Sequence, residues 1–306
     1  MMRERSVGKG SGKMLYTLEN EVLCVQVRSL GAELRSIRER ADETEYLWNG
    51  DPVWWKYSSP VLFPIVGKLR GGKYRVNGRD YQLPGHGLGR ISEFRLVHRQ
   101  PDSVEFALDW SKESLKSYPW KFQLLIGYAL EKNRIIVRWV VRNLDDKEMI
   151  YSIGAHGAYR CPIVAGESFE DCYLQFSEQE DAANMPLNES GQFLRGYGTE
   201  RLSGFELPLR YELFRHDALA YDAQKSDTVR LCSRKSDKCL TITAKGFPYW
   251  GYWTPGQGGA PFLCIEPWHG HADYADFDGE FAERAGSERL QPGGQAEYSY
   301  TITIGR

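Results

Sequence analysis

No run of about 18 apolar residues occurs anywhere in this 306-residue chain, so a membrane-spanning helix is not expected. The opening MMRERSVGKGSGK has no hydrophobic stretch behind its charges, which argues against a secretory leader. An excess of one charge is missing too. Lys and Arg total 39 against 41 Asp and Glu, a net −2, with no basic stripe. Nucleic acid and anionic membranes are therefore not expected partners. Cysteine is sparse: Cys24, Cys161, Cys172, Cys232, Cys239 and Cys264, none in a C-x-x-C pair. Six are too few for a disulfide scaffold of this length, and free thiols in a reducing cytoplasm are expected. Helical patterning is scarce, with residues 51–55 and 111–118 reading as a turn or two each. That excludes a doubly wound parallel sheet. The G-x-S-x-G, H-E-x-x-H and strand-following G-x-G-x-x-G motifs are all absent. GKGSGK fails as a phosphate loop, because the required first glycine falls at Val7 and Met14 replaces the Ser/Thr. Residues 1–13 read as a disordered, Gly-rich basic extension.

What remains is strand after strand. Residues 21–27, 33–38, 91–98, 103–110, 122–130 and 135–143 alternate apolar and polar, as do 218–221, 229–232, 240–244 and 297–304. Residues 74–83 carry Asn77-Gly78 between two alternating runs, a two-residue hairpin signal because both turn positions need positive φ. Aromatics reach 13%, with nine Trp and 18 Tyr, which suits β packing and could also supply faces for sugar rings. Short strands with Gly, Pro, Asn and Asp turns predict an all-β fold, a large antiparallel β-sandwich. No linker or repeat interrupts 14–306, so a single domain is expected there.

Chemistry-bearing residues are few. In FLCIEPWHGHAD, Glu266 lies in an apolar run, where a carboxylate needs donors or a function and where apolar walls raise its pKa. A structural pairing with Arg or Lys is the plain alternative. His269, His271 and Asp273 could form a metal face if they alternate along a strand, although Pro267 and Gly270 read as a loop. His156, in YSIGAHGAY, and His86, in LPGHGLGR, are each flanked by glycine. Either could serve a site, as a titrating acid or a ligand donor, or simply be a satisfied or solvated histidine. His98 lies in an ordinary alternating strand, and His216, before Asp217 at a strand start, reads as surface.

Four motifs then stand in a known order: SPVLFPIVGKLRGGKY (59–74), PGHGLGR (84–90), SIGAHGAY (152–159) and FLCIEPWHG (262–270). With GAELRSI at 31–37 and ERLQPGGQAEYSYTI near the end, the chain resembles the aldose 1-epimerase (galactose mutarotase) family, in its shorter bacterial branch. The resemblance implies a β-supersandwich with an open sugar groove. It assigns His156 as general acid, Glu266 as general base and His86 as a sugar-hydroxyl and ring-oxygen ligand. Lys68 stands where the family has arginine, with Arg70 two residues on. Asp217 matches an aspartate that holds distal hydroxyls, Asp222 less well, and Trp268 would wall the site. Gly157 departs from the proline that usually follows the histidine.

Mutarotation suits these residue types. A base takes the anomeric hydroxyl proton, an acid protonates the ring oxygen, and the ring recloses on the other face. No metal, nucleotide or covalent intermediate is required, so no cofactor is expected. The expected partner is a small sugar, with an edge strand able to pair two copies into a homodimer. Alternatives are a hexose-6-phosphate 1-epimerase, drawing on Lys68, Arg70, Lys73 and Arg90, a non-catalytic sugar-binding protein on the same fold, and a metal enzyme using His269, His271 and Asp273.

Overall fold

The computed structural model describes residues 14–305, so the expected extension at 1–13 lies outside the described residues. Two antiparallel sheets dominate. The larger has nine strands, in the order Arg201–Pro208, Cys172–Ala183, Thr228–Ser233, Cys239–Thr243, Gln295–Gly305, Arg134–Asn143, Phe122–Glu131, Ser103–Asp109 and Arg95–Arg99. The second runs Leu219–Tyr221, Tyr249–Trp253, Phe262–His269, Ile153–Ala155 and Val61–Leu62, with Gly157–Arg160 also paired to Phe262–His269. A three-stranded sheet of Leu15–Glu19, Leu23–Arg28 and Glu33–Glu39, the hairpin Lys73–Val76/Arg79–Gln82 and the short pair Met149–Tyr151/Glu288–Leu290 complete the frame.

Period-2 alternation explains how the sheets meet. Ile135, Val137 and Ile302 of the large sheet share one core with Leu263 and Ile265 of the second. Each such side chain, fully buried, contributes roughly 1.5–3 kcal/mol of transfer free energy. Residues of opposite parity on Phe262–His269, namely Cys264, Glu266 and Trp268, face away from that core. The strand thus carries the shared core on one face and Cys264, Glu266 and Trp268 on the other.

The hairpin forms where Asn77-Gly78 placed it, with φ of 50° and 73°. Elsewhere local structure departs from expectation. The strand expected from residue 91 starts at Arg95, because Gly89–Ile91 make a 3-10 turn closed by Ser92 N–H on Gly89 O. Residues 51–55 turn on Asp51, whose carboxylate accepts from Val53 N–H and whose carbonyl accepts from Trp55 N–H, without becoming a helix. Only Ser114–Ser117 of residues 111–118 is helical. Pro267 and Gly270 read as loop in the sequence, yet Pro267 lies inside strand Phe262–His269, and only after His269 does the chain leave the sheet.

Candidate active site

The site is set by strand register. Phe262–His269 pairs with Gly154 at Trp268 on one side of residue 156 and with Gly157 at Ile265 on the other. The same register continues through the gap and puts His156 opposite Glu266 and Ala155 opposite Pro267. Ser152 and Ala158 use their N–H groups on Pro64 and Ser58, away from the Phe262–His269 strand. Even-numbered positions such as His156 are therefore non-hydrogen-bonded in this ladder, where facing side chains come closest. Ala155 falls on the alternate, hydrogen-bonded rung, and Pro267 has no N–H to give it. The ladder lapses there, beside the pair.

His156 Nδ1 consequently lies 3.3 Å from Glu266 Oε1, with both side chains buried. Trp268 Nε1 donates to Glu266 Oε2 at 3.3 Å. Two glycines make room for that indole. A Cβ on Gly154 would meet Trp268 Cδ1 at 2.6 Å, and one on Gly251 would meet Cζ2 at 2.2 Å. Burial holds the Glu266 carboxyl well above the usual carboxylate range; the indole N–H opposes this and the Asp217 charge adds to it. Burial pushes the His156 imidazole well below its usual range, and His86 and Arg90 push the same way.

His86 stands edge-on to His156, ring centroids 5.3 Å apart. Its backbone is left-handed, φ 64°, held by N–H donation to Gly67 O at 2.7 Å. Gly67 N–H donates to His86 Nδ1 at 3.2 Å, so the ring's proton sits on Nε2. Burial first, then Arg90 and Lys68, push its pKa down to about 3, keeping the ring neutral.

A cavity of about 290 Å³ is lined by His86, His156, Glu266, Lys68, Asp217 and Trp268. Six of the seven residues assigned from sequence thus converge. Arg70 does not: its guanidinium turns outward to Phe277 O at 3.2 Å and Asp278 at 3.8 Å. Asp222 lies off the cavity, accepting from Tyr197. Sequence reasoning missed the aromatic walls Trp55, Trp253 and Phe193. Trp55 stacks on the His156 ring at 4.6 Å. Its neighbour in the sequence, Trp54, was the available signal, hidden because residues 51–55 read as a helical turn.

The metal face does not assemble. His269 Nδ1 is 3.1 Å from Glu288, and His271 Nδ1 donates to Ala272 O at 2.6 Å. Asp273 is buried against Arg284, accepts from Arg70 N–H at 2.8 Å, and donates its own N–H to Lys68 O at 3.0 Å. These residues brace the segment that presents Lys68.

Residues 14–285 match the family model described as aldose 1-epimerase. The chain belongs to the aldose 1-epimerase family. Protein LacX (chromosomal) of Lactococcus lactis subsp. lactis is 35% identical, over 95% of this chain and 99% of that one. A galactose mutarotase related enzyme from Lactobacillus acidophilus superposes with a TM-score of 0.90 at 30% identity, covering 96% of this chain and 98% of its own. A galactose mutarotase-like protein from Lactobacillus casei gives 0.86 at 27%, covering 95% and 100%. The resemblance drawn from the four motifs and the all-β architecture hold in these comparisons. Family membership carries an isomerase acting on sugars, and among the described residues no helix is long and apolar enough to cross a membrane.

Proposed function

We propose that this protein is a cofactor-independent aldose 1-epimerase that interconverts the α and β anomers of a free hexose. The observation that carries the reading is the His156–Glu266 pair, 3.3 Å apart at a cavity of about 290 Å³. Burial disfavours charge on both groups, so at rest the His156 imidazole stays neutral and the proton favours Glu266. Passing it across the gap makes a carboxylate and an imidazolium, the base and the acid the reaction needs.

Glu266 then takes the proton from the anomeric hydroxyl as the C1–O1 bond becomes a carbonyl. The C1–O5 pair leaves to the ring oxygen, which takes the His156 proton. Rotation about C1–C2 presents the other carbonyl face. His156 removes the O5 proton as O5 attacks, and Glu266 returns its proton to O1. Both groups end as they began. Neutral His86 would donate through Nε2–H to a sugar oxygen, Lys68 and Asp217 would hold distal hydroxyls, and Trp268 would wall the ring. Of the four cations considered for a phosphate, Lys68 alone lines this cavity, which favours a free hexose over a hexose 6-phosphate. A reducing cytoplasm fits six thiols without a disulfide.

The test is anomer exchange followed by polarimetry or NMR from fresh α-glucose, α-galactose and glucose 6-phosphate. Acceleration that Glu266→Gln or His156→Asn lowers by ~10²-fold or more supports the assignment. Wild-type rates in either variant would remove that residue's role. A folded protein that binds sugar without acceleration would be a binding protein.

A further inference from the structure

Cys264 has no part in the chemistry above, yet it shares a strand face with the base two residues away. It is fully buried, opposite Ala158. Ligating atoms of His156, Cys264 and Glu266 all lie within 4.8 Å of one another. We propose that these three side chains form a site for a soft divalent cation, zinc foremost, whose binding blocks the acid–base pair reversibly. The binding half stands without the epimerase reading; the inhibitory half rests on it.

Two observations carry this. His156 Nδ1 is buried and has no hydrogen-bond partner, so a lone pair or proton is left unsatisfied beside the other two donors. Tetrahedral zinc with ligands at about 2.0–2.3 Å needs its donor atoms roughly 3.3–3.8 Å apart. The His156–Glu266 approach of 3.3 Å already meets that spacing, and the Cys264 sulfur lies within 4.8 Å of both.

Charge favours the same ion. One thiolate and one carboxylate neutralise a divalent cation, so the filled site adds no net charge to a buried region. Binding releases the Cys264 thiol proton to solvent, and the Glu266 proton when it is present. Imidazole and thiolate select zinc or cobalt over magnesium or calcium, which prefer oxygen ligands. A fourth position would face the cavity that His156 and Glu266 line. Once bound, the ion holds the lone pairs of both the base and the acid.

The test uses the full chain stripped with a chelator and titrated with cobalt(II). One equivalent should bind with a thiolate-to-metal charge-transfer band, and zinc should displace it. Cys264→Ser and His156→Asn should each abolish the band and weaken zinc binding by about tenfold or more. No band in the wild type, or a band that persists in folded Cys264→Ser, overturns the proposal. Should Cys264→Ser not fold, His156→Asn and Glu266→Gln decide in its place, since both positions face the cavity. In activity assays, zinc should slow anomer exchange in the wild type and lose that effect in Cys264→Ser, each judged against its own zinc-free rate. Zinc that binds yet leaves exchange untouched overturns the inhibitory half. A cobalt spectrum in a protein with no exchange activity supports the site and removes the epimerase reading instead.

Discussion

Gly157, next to His156, tests how tightly this wall is built. A Cβ there would meet Tyr159 Oη at 2.4 Å, Cζ at 2.7 Å and Cε2 at 3.1 Å. Tyr159 is fully buried and cannot swing aside. Gly157→Ala should therefore cost about 1–3 kcal/mol, the usual range for overpacking a core. The Tyr159 hydroxyl has no hydrogen-bond partner, so Tyr159→Phe alone should be close to neutral. In the double variant the 2.4 Å contact disappears but the 2.7 Å one stays. Part of the loss should return, a coupling on the order of 0.5–1.5 kcal/mol. Urea unfolding of the four proteins measures it, provided the slopes agree. A neutral Gly157→Ala, or additive effects in the double variant, would refute the packing argument. The same contact weighs against proline here: its ring would meet Tyr159, and its missing N–H would remove a strand bond.

Other perturbations follow from the same geometry. The His156–Glu266 pair should gain no second proton until pH well below 6.5, since burial pushes the His156 imidazole down. A kcat/KM profile that falls on acidification through pH 6.5 would contradict it. Because folding raises the Glu266 pKa, this carboxyl keeps its proton in the folded protein above pH 4.5 where the unfolded chain has lost it, and its contribution to stability declines there as pH rises. Glu266→Gln should lack that decline, so its melting temperature should gain on the wild type from pH 5 to pH 8; parallel curves would refute the shift. Arg284→Met leaves Asp273 buried without its cation and should cost about 3–5 kcal/mol, seen as a lowered urea midpoint. Lys68→Ala should raise KM more than it lowers stability, and unchanged kinetics would remove Lys68 from the site.

Much of the architecture was legible because strand alternation and turn chemistry are local. The 103–110, 122–130 and 135–143 runs needed only period 2, and Asn77-Gly78 needed only two positive φ values. The strand Cys172–Ala183 was not legible. Its SEQED stretch reads as loop, and the bulge between Gln175 and Glu180 breaks the alternation. Glu180 is buried there on the N–H groups of Lys225 and Ser226, distant partners that no local pattern announces. At the site, motif order located His86, His156 and Glu266, while Arg70 went astray because side-chain direction after Gly67 depends on the Asp273 brace. Trp55 escaped because stacking on His156 is a tertiary fact.

The facing of His156 and Glu266 across one rung has a consequence for folding errors. Sliding the strand by one residue would set His156 against Ile265 or Pro267 and turn its ring to the opposite face. A slip of two would match it with Cys264 or Trp268. Such a misaligned sheet could keep most of its backbone bonds and its circular dichroism while losing the pair entirely. Turnover would then count the molecules whose strands have paired in one alignment, which makes activity recovered on refolding a direct gauge of pairing fidelity.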